Sequence, residues 1–155
     1  MTFDHVFQPM PSRLRRSARL NTAGKETMLL TEDAAEAWLK KYGQAWESAD
    51  PVQAAELFSE DCRYYETPFS APAVGRDGVR NYWQAVPEGQ IGVSFRFRVL
   101  AVQSRTVLAH WSASFTRVPT GARVNLDGVF LLEFVDSGLC SSLREWWHRE
   151  ETPQP

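Results

Sequence analysis

The sequence predicts an α+β domain in which helices near the start of the chain cover one face of a curved antiparallel sheet. Residues 31–86 contain stretches with apolar residues at helical spacing, interrupted by one strand-like segment. Residues 93–150 instead contain β-branched and aromatic segments separated by the turn sequences QSR, PTG and DSG. Helices followed by an antiparallel run of strands are typical of α+β domains, whose helices pack on one sheet face.

The first helix is predicted to begin after Thr31, whose side-chain oxygen can accept a hydrogen bond from the first turn. Its apolar residues recur at helical spacing and form one face: Ala35, Trp38, Leu39, Tyr42 and Trp46. A second, short helix is predicted at PVQAAELFS, because Asp50 can cap it and Pro51 is tolerated at the first helical position. The next segment, DCRYYETPF, is predicted to form the first strand.

A third helix is predicted after a turn at residues 75–78 and should stop at residues 87–89, which contain Pro and Gly. Its large apolar residues share one face: Val79, Tyr82, Trp83 and Val86. The strands that follow are joined by short turns, so they should form three successive hairpins. A strongly curved sheet wrapped over helices would enclose a cavity.

Side chains alternate between the two faces of a strand, so the inward faces can be predicted. Large apolar residues recur at every second position in three strands: Phe95, Phe97 and Val99; Trp111, Ala113 and Phe115; Phe130, Leu132 and Phe134. We expect these to face inwards, and Arg96, Arg98, His110 and Ser112 to face outwards. In the last strand both faces carry a large aromatic residue, so alternation does not decide whether Glu145 faces inwards.

The chain has 155 residues, enough for one domain, and its net charge of −2 gives no indication of nucleic-acid binding. No apolar run approaches the ~20 residues of a membrane helix. Residues 1–30 are basic and lack a sustained period, so we expect a disordered tail that the fold does not need. The domain should span residues 31–150, followed by a C-terminal tail at residues 151–155. Cys62 and Cys140 lack the spacing of metal or redox sites, and buried free thiols fit a reducing, cytoplasmic compartment.

Four segments occur in order with suitable gaps: AW in the first helix, ELFSEDCRYYETPF, GRDGVRNYW and LDGVFLLEFVDSGLCSSLREWW. Through them the chain resembles the nuclear-transport-factor-2-like superfamily, and within it the SnoaL-like proteins. The resemblance implies a cone-shaped curved antiparallel sheet wrapped around the N-terminal helices, and homodimers formed through the outer sheet face. The activity stays open, because this fold hosts isomerases, cyclases, epoxide hydrolases, dehydratases and non-catalytic binders.

The resemblance also implies one acidic residue in the pocket. In the epoxide hydrolases of the superfamily, an acid in an Arg-Asp-Tyr-Phe-Asp segment of the last strand projects into the pocket, and LREWWH is similar to that segment, with Glu145 at the acid's position. The arginine and second aspartate of those enzymes correspond to Trp111 and Ala113, so that set is incomplete. The aspartate base of ketosteroid isomerases corresponds to Thr67, and their oxyanion-stabilising acid to Phe130.

Glu145 is therefore the first catalytic candidate, because burial in an apolar cone would raise its pKa; a surface ion pair with a neighbouring arginine is the alternative. Tyr65 is the second, as a hydrogen-bond donor to a ligand, because alternation places Tyr65 and Thr67 inside and Glu66 outside. The residues expected to bind the ligand are those we place in the cone: Thr67, Trp83, Phe97, Trp111, Phe115, Phe130 and Trp147.

Other polar residues are weaker candidates for the site. Asp127 would reach the cavity only through a bulge at Gly128, and His148 could shuttle protons at the pocket mouth or lie at an interface. The sequence shows no His spacing for a metal, no phosphate-binding loop and no nucleophile elbow, so we expect no metal and no cofactor.

The sequence thus predicts a domain that binds a small hydrophobic molecule. If it is an enzyme, we expect acid/base chemistry without a cofactor, of the isomerase, cyclase or hydratase/hydrolase type. The alternative is a non-catalytic dimeric module that binds a ligand or another protein. Two or more convergent acids or donors in the cavity would favour an enzyme, and one or none would favour a binder.

Overall fold

Residues 29–153 are described by a computed structural model and form helices and strands in the order ααββααββββ. The helices are α1 (Glu32–Glu47), α2 (Pro51–Glu56), α3 (Gly75–Trp83) and α4 (Ala85–Gly89). The strands are β1 (Phe58–Tyr65), β2 (Ala73–Val74), β3 (Gln90–Gln103), β4 (Thr106–Arg117), β5 (Arg123–Phe134) and β6 (Cys140–Thr152). The α+β class and the three successive hairpins of β3 to β6 are confirmed.

The strands form one curved, unclosed sheet in the order β2-β1-β6-β5-β4-β3. Neighbouring strands are antiparallel, as expected, except β1 and β6, which are parallel, so the sheet is mixed. Hairpin turns impose opposite directions only on β3 to β6. The chain between β1 and β3 instead passes through β2, α3 and α4, so no hairpin sets the direction of β1 relative to β6.

The helix caps follow the sequence. The Thr31 side chain accepts a hydrogen bond from the Ala34 amide at 3.2 Å, and Asp50 accepts bonds from two amides of α2 at 3.0 Å. Helix α3 begins at Gly75, inside the segment predicted to be a turn. Gly75 has φ +71°, and a Cβ there would lie 2.9 Å from the Glu60 carbonyl oxygen, so glycine is required at this sharp bend.

The structure describes only part of the two tails that the sequence predicts. Of the tail expected at residues 1–30, residues 1–28 lie outside the described residues. Leu30 packs against the core and its N–H donates to the Ser104 carbonyl at 3.0 Å. At the other end β6 continues to Thr152, into the expected C-terminal tail. None of the helices in residues 29–153 combines the length and apolar character that crossing a membrane requires.

The core lies between α1 and the inner face of the sheet, and it is largely aromatic. The predicted inward residues of β4 and β5 are buried, among them Trp111 and Phe130, whose rings stack with centroids 4.9 Å apart. Alternate residues of the same strands, such as His110 and Glu133, are at least partly exposed. The predicted facing of Phe95, Phe97 and Val99 in β3 is also confirmed, since these residues are more buried than Arg96 and Arg98 between them, and alternation in β3 breaks only at the register shifts on either side of residues 94–99.

Gly128 of β5 allows β6 to approach closely. A Cβ at this position would lie 2.8 Å from the Trp147 Cβ. We expect Gly128→Ala to lower the free energy of unfolding by about 1–3 kcal/mol, the range for overpacking. Urea denaturation measures this, with Gly89→Ala as the matched control, because no atom lies within 4 Å of a Cβ there. Equal stability of both variants would contradict the close approach.

Candidate functional site

A cavity of about 200 Å³ lies between the helices and the inner face of the sheet. Aromatic side chains from four elements form much of its wall: Trp46, Trp83, Trp111, Phe115 and Trp147. Polar groups also line it: Tyr42, Tyr64, Glu66, Tyr82 and Glu145. Arg117 and Arg149 complete the lining on one side, and both lie within 4 Å of the Glu151 carboxylate.

Glu145 is the buried acid of this cavity. It lies on β6 opposite Phe130 of β5, and only 6% of its surface is exposed. The Tyr64 hydroxyl donates a hydrogen bond to Glu145 Oε1 at 3.2 Å. The Tyr42 hydroxyl lies 2.8 Å from the Tyr64 hydroxyl, so the three groups form one hydrogen-bonded chain. The expectation that Glu145 faces inwards is met in the structure; a catalytic role stays a prediction.

The protonation states of these three hydrogen-bonded side chains follow from their burial. Desolvation raises the pKa of the Glu145 carboxyl well above its usual range, the Glu66 carboxylate raises it further, and the hydrogen bond from Tyr64 opposes both. Burial likewise raises the pKa of both hydroxyls, Tyr42 and Tyr64, and Glu145 adds to the effect. Both tyrosines therefore stay protonated, and the carboxyl is the group that can gain or lose a proton.

Tyr82 and Glu66 extend the polar side of the cavity. The Tyr82 ring packs on the Tyr64 ring with centroids 4.9 Å apart, and about a third of Tyr82 is exposed, at 36%. Burial raises the pKa of the Tyr82 hydroxyl, and the carboxylates of Glu145 and Glu66 raise it further. The cavity thus brings together two acids and three tyrosine hydroxyls.

Two of the indole groups in the wall have no hydrogen-bond partner among the described residues. They are the N–H groups of Trp83 and Trp111, whose side chains are 2% and 1% exposed. The neighbouring indoles differ: Trp46 donates to the Gln90 side chain at 2.8 Å, and Trp38 donates to the Leu57 carbonyl at 3.0 Å. The two buried donors without a partner therefore lie on α3 and β4.

The predicted ligand-binding residues divide into two groups. Trp83, Trp111, Phe115 and Trp147 line the cavity. The other three do not: the fully buried Phe130 ring stacks on the Trp111 ring, Phe97 is partly buried against the core, and Thr67 follows the end of β1. Phe97 and Phe130 still face the expected side of the sheet, since Phe97 pairs with Trp111 and Phe130 pairs with the buried Ala109.

The expected facing of the first strand is wrong by one residue. Tyr65 lies on the outer side, where the Arg144 guanidinium is 4.1 Å from its ring centre, and Tyr64 lines the cavity instead. Thr67 follows the end of β1, and its hydroxyl bonds to Ser70 in a turn. The expected facing fails because it extends the alternation to Thr67, whereas β1 ends at Tyr65.

Sequence reasoning missed Tyr64, Glu66 and Tyr42 as site residues. Counting alternation from the apolar Cys62, which is buried in β1, would have indicated Tyr64 and Glu66. Tyr42 was identified only as a core residue, because helical spacing shows its face but gives no sign that its hydroxyl meets Tyr64.

The remaining candidates lie elsewhere. The Asp127 carboxylate lies on the outer face, where it accepts a hydrogen bond from His110 Nε2 at 3.0 Å. His148 lines a groove on the same face. Cys62 and Cys140 are free and buried, and desolvation raises the pKa of both thiols. Within residues 29–153, no three His, Cys, Asp or Glu side chains are grouped so as to hold a metal ion.

Solved structures share this fold at low sequence identity. A proposed isomerase from Bacillus subtilis is 20% identical, with a TM-score of 0.67 over 75% of this chain and 87% of that one. The epoxide hydrolase/cyclase-like enzyme SalBIII, of pyran ring formation in salinomycin, is 20% identical, with a TM-score of 0.66 over 76% and 92%. A proposed scytalone dehydratase from Novosphingobium aromaticivorans DSM 12444 is 20% identical, with a TM-score of 0.65 over 79% and 87%.

At such identities these similarities establish the fold and not the activity. No curated protein sequence matches this chain significantly. The family assignment depends on the sequence itself, because the SnoaL-like domain matches residues 39–142, from within α1 into β6. The chain therefore belongs to the SnoaL-like domain family, with the nuclear-transport-factor-2-like fold.

Proposed function

We propose that this protein binds a small hydrophobic molecule in the inner cavity and catalyses cofactor-free acid/base chemistry on it, with Glu145 as the proton carrier. One observation carries the proposal: a carboxyl group that is 6% exposed lines an aromatic cavity, with Tyr64 as its hydrogen-bond donor. A structural carboxylate is normally paired with a cation when it is buried. Glu145 instead lies beside tyrosine hydroxyls and a second acid, which favour proton exchange.

The Tyr42 and Tyr64 hydroxyls would hold Glu145 in both of its protonation states. A hydroxyl can donate to an ionised carboxyl and accept from a protonated one by rotating its O–H bond. Tyr64 would donate to Glu145 Oε1 after proton loss, while Tyr42 donates to Tyr64. The carboxyl could therefore change charge without leaving a buried hydroxyl unpaired.

The cavity's composition supports an enzyme over a binding module. Two acids and three tyrosine hydroxyls converge on one cavity, more than a non-catalytic apolar pocket requires. Its volume of about 200 Å³ suits a compact molecule, since an apolar cavity of about 150 Å³ holds benzene. The solved structures with this fold named as isomerase, cyclase and dehydratase make the same chemistry plausible here by analogy.

Deuterium exchange tests the proposal without a known substrate. The protein would be incubated in D₂O with a panel of small cyclic ketones, enones, lactones and epoxides, and deuterium uptake or turnover followed by NMR. We expect at least one compound to react, and Glu145→Gln to slow that reaction by about 10²–10⁴-fold, the range for general acid–base catalysis.

Glu133→Gln is the matched control, because it removes an exposed carboxyl from the same sheet. It should react at the wild-type rate. A Glu145→Gln protein as active as the wild type would remove Glu145 from the mechanism. Tight binding of panel members without any reaction would favour the non-catalytic module.

The raised pKa of Glu145 also predicts how stability changes with pH. Below about pH 4.3, the ordinary Glu value, the carboxyl is protonated in both folded and unfolded chains and costs no stability. As the pH rises above this value, the Glu145 carboxyl ionises in the unfolded chain but stays protonated in the folded protein. The wild type therefore loses stability until the pH exceeds the raised pKa of Glu145 in the folded protein.

Glu145→Gln should therefore gain stability relative to the wild type as the pH rises. Urea denaturation of both proteins at pH 5 and pH 8 measures the difference, which should be larger at pH 8. The Glu133→Gln protein provides the reference for an exposed carboxyl. A difference that stays constant with pH, or shrinks, would show that Glu145 ionises as freely in the folded chain as in the unfolded one.

We also propose that the protein forms a homodimer through the outer face of β3 to β6. A shallow groove of about 520 Å³ crosses this face, lined mainly by polar side chains such as Arg96, Ser112 and Asp127. Trp146 is 46% exposed and Leu108 is 38% exposed on the same strands. Exposed tryptophans frequently contribute most of the affinity at protein interfaces.

Sedimentation velocity at ~10–100 μM tests the dimer. We expect the wild type to sediment as a dimer and Trp146→Ser to shift towards the monomer, because the substitution removes the largest apolar contact. Val52→Ser, which changes an exposed apolar residue of α2, should leave the dimer intact. A wild-type monomer throughout this range would contradict the proposal.

A further inference from the structure

Two arginine side chains line the inner cavity at its more exposed end. Arg117 is the last residue of β4 and Arg149 lies on β6, and both belong to the cavity lining. Their side chains are 31% and 51% exposed, whereas Glu145 is buried. The acid/base chemistry proposed above uses Glu145 and assigns no role to either arginine.

Strand register keeps the arginines away from the buried acid. On β6 the residues that line the cavity alternate as Glu145, Trp147 and Arg149, so about 13 Å of strand separates the acid from the arginine. On β4, Phe115 and Arg117 line the cavity in the same alternation. The aromatic part of the cavity therefore lies between the acid and the arginines.

The two ends of the cavity carry opposite charge. Glu66 is close enough to Glu145 to raise the pKa of its carboxyl, whereas neither arginine contributes to that pKa. A ligand with one negative group would be repelled at the acid end and attracted at the arginine end. The charges would therefore fix the direction in which such a ligand enters.

The arginine end retains positive charge after its contacts with the protein are counted. The Glu151 carboxylate accepts two hydrogen bonds from Arg117, at 3.0 and 3.2 Å. Arg149 Nε lies 3.8 Å from the same carboxylate, which is too far for a hydrogen bond. Two guanidinium groups and one carboxylate leave a net charge of +1 in this cluster. The cluster can therefore accept one further monoanion, to which the Arg149 guanidinium can donate.

We propose that the ligand is a small aromatic acid, whose ring occupies the cavity and whose carboxylate binds Arg149 beside Arg117. A carboxylate fits better than a phosphate, because a monoanion matches the net charge and a planar guanidinium can donate two parallel hydrogen bonds to it. This names the ligand class for the cavity in which we propose acid/base chemistry, so it rests on that proposed function.

The rest of the cavity suits the rest of such a molecule. Aromatic side chains such as Trp147 and Phe115 form a wall against which a planar ring packs well. The volume of about 200 Å³ leaves room for one ring with a short side chain. The carboxylate is then an anchor and not the reacting group, because it holds the opposite end of the molecule towards Glu145.

A pair of probes tests the anchor. trans-Cinnamate and cinnamamide have the same ring and nearly the same shape, but only cinnamate is charged at about pH 7. Calorimetric titration of the full-length protein at low salt would measure both affinities. We expect the wild type to prefer cinnamate by about tenfold, a value between those of an exposed ion pair and a charge-assisted hydrogen bond.

Arg117→Met and Arg96→Met form the matched pair of variants, because each removes one positive charge from the sheet. Arg149 lines both the inner cavity and the outer groove, whereas Arg117 lines only the cavity and Arg96 only the groove. Arg117→Met should abolish the preference for cinnamate, since Arg149 and Glu151 then neutralise each other. Arg96→Met should retain it. A ratio of two affinities in the same variant also cancels any general loss from misfolding.

Glu151→Gln should give a gain that damage to the fold would not produce. The substitution removes the carboxylate that competes with the ligand for Arg117 and Arg149. We expect the preference for cinnamate to rise by about threefold over the wild type, the value of one exposed ion pair.

The opposite results would overturn the proposal. Equal affinity for both probes, or a lower preference in Glu151→Gln, would show that the arginines do not bind the carboxylate. Loss of the preference in Arg96→Met would place the anion in the outer groove, and its loss in Glu145→Gln would place it at the acid end. Failure of either probe to bind at millimolar concentration would show that the cavity does not admit an aromatic acid.

The two proposals for this cavity can fail separately. A preference for cinnamate without deuterium exchange or turnover of any compound in the panel would leave the ligand class intact and remove the catalytic role. Exchange that depends on Glu145, together with equal affinity for the two probes, would do the reverse.

Discussion

Tyr42 is the residue on which the core and the candidate site both depend. Its ring contacts those of Trp38, Trp46, Trp83 and Phe130, with centroids 5.2 to 6.4 Å apart, so it fixes α1 against the sheet. Each such pair stabilises the fold by about 0.5–1.5 kcal/mol beyond the burial of area. Its hydroxyl bonds to Tyr64, which bonds to Glu145. The packing that holds the helix in place therefore also positions the acid.

Burying polar groups in the cavity lowers the stability of the fold, and hydrogen bonds reduce this cost. Glu145 is surrounded by aromatic side chains, and an unpaired carboxylate there would be strongly unfavourable. The Tyr64 hydroxyl reduces that cost, and the raised pKa of Glu145 reduces it further by favouring the neutral acid. The indoles of Trp83 and Trp111 receive no such compensation from the protein. The cavity therefore retains a buried acid and two unpaired donors at a cost in stability.

The sheet separates two surfaces of opposite character. On β4, Trp111 and Phe115 line the cavity, while Ser112 and Ser114 line the outer groove and His110 lies on the same outer face. The separation follows from the two-residue period of the strand, so one sequence encodes both surfaces. A substitution at His110 or Ser112 therefore changes a side chain that does not line the cavity.

The sequence by itself determined the α+β class, the helix caps at Thr31 and Asp50, and the inward face of β4, because each depends on local spacing or a local hydrogen bond. The family resemblance added the inward orientation of Glu145, which alternation left open. Tertiary structure alone decided the parallel pairing of β1 with β6 and the contact between the Tyr42 and Tyr64 hydroxyls, because both join segments that are far apart in the sequence. It also decided which indoles lack a partner, since a hydrogen-bond acceptor for a core tryptophan comes from a distant part of the chain: Gln90 for Trp46, and none for Trp111 among the described residues.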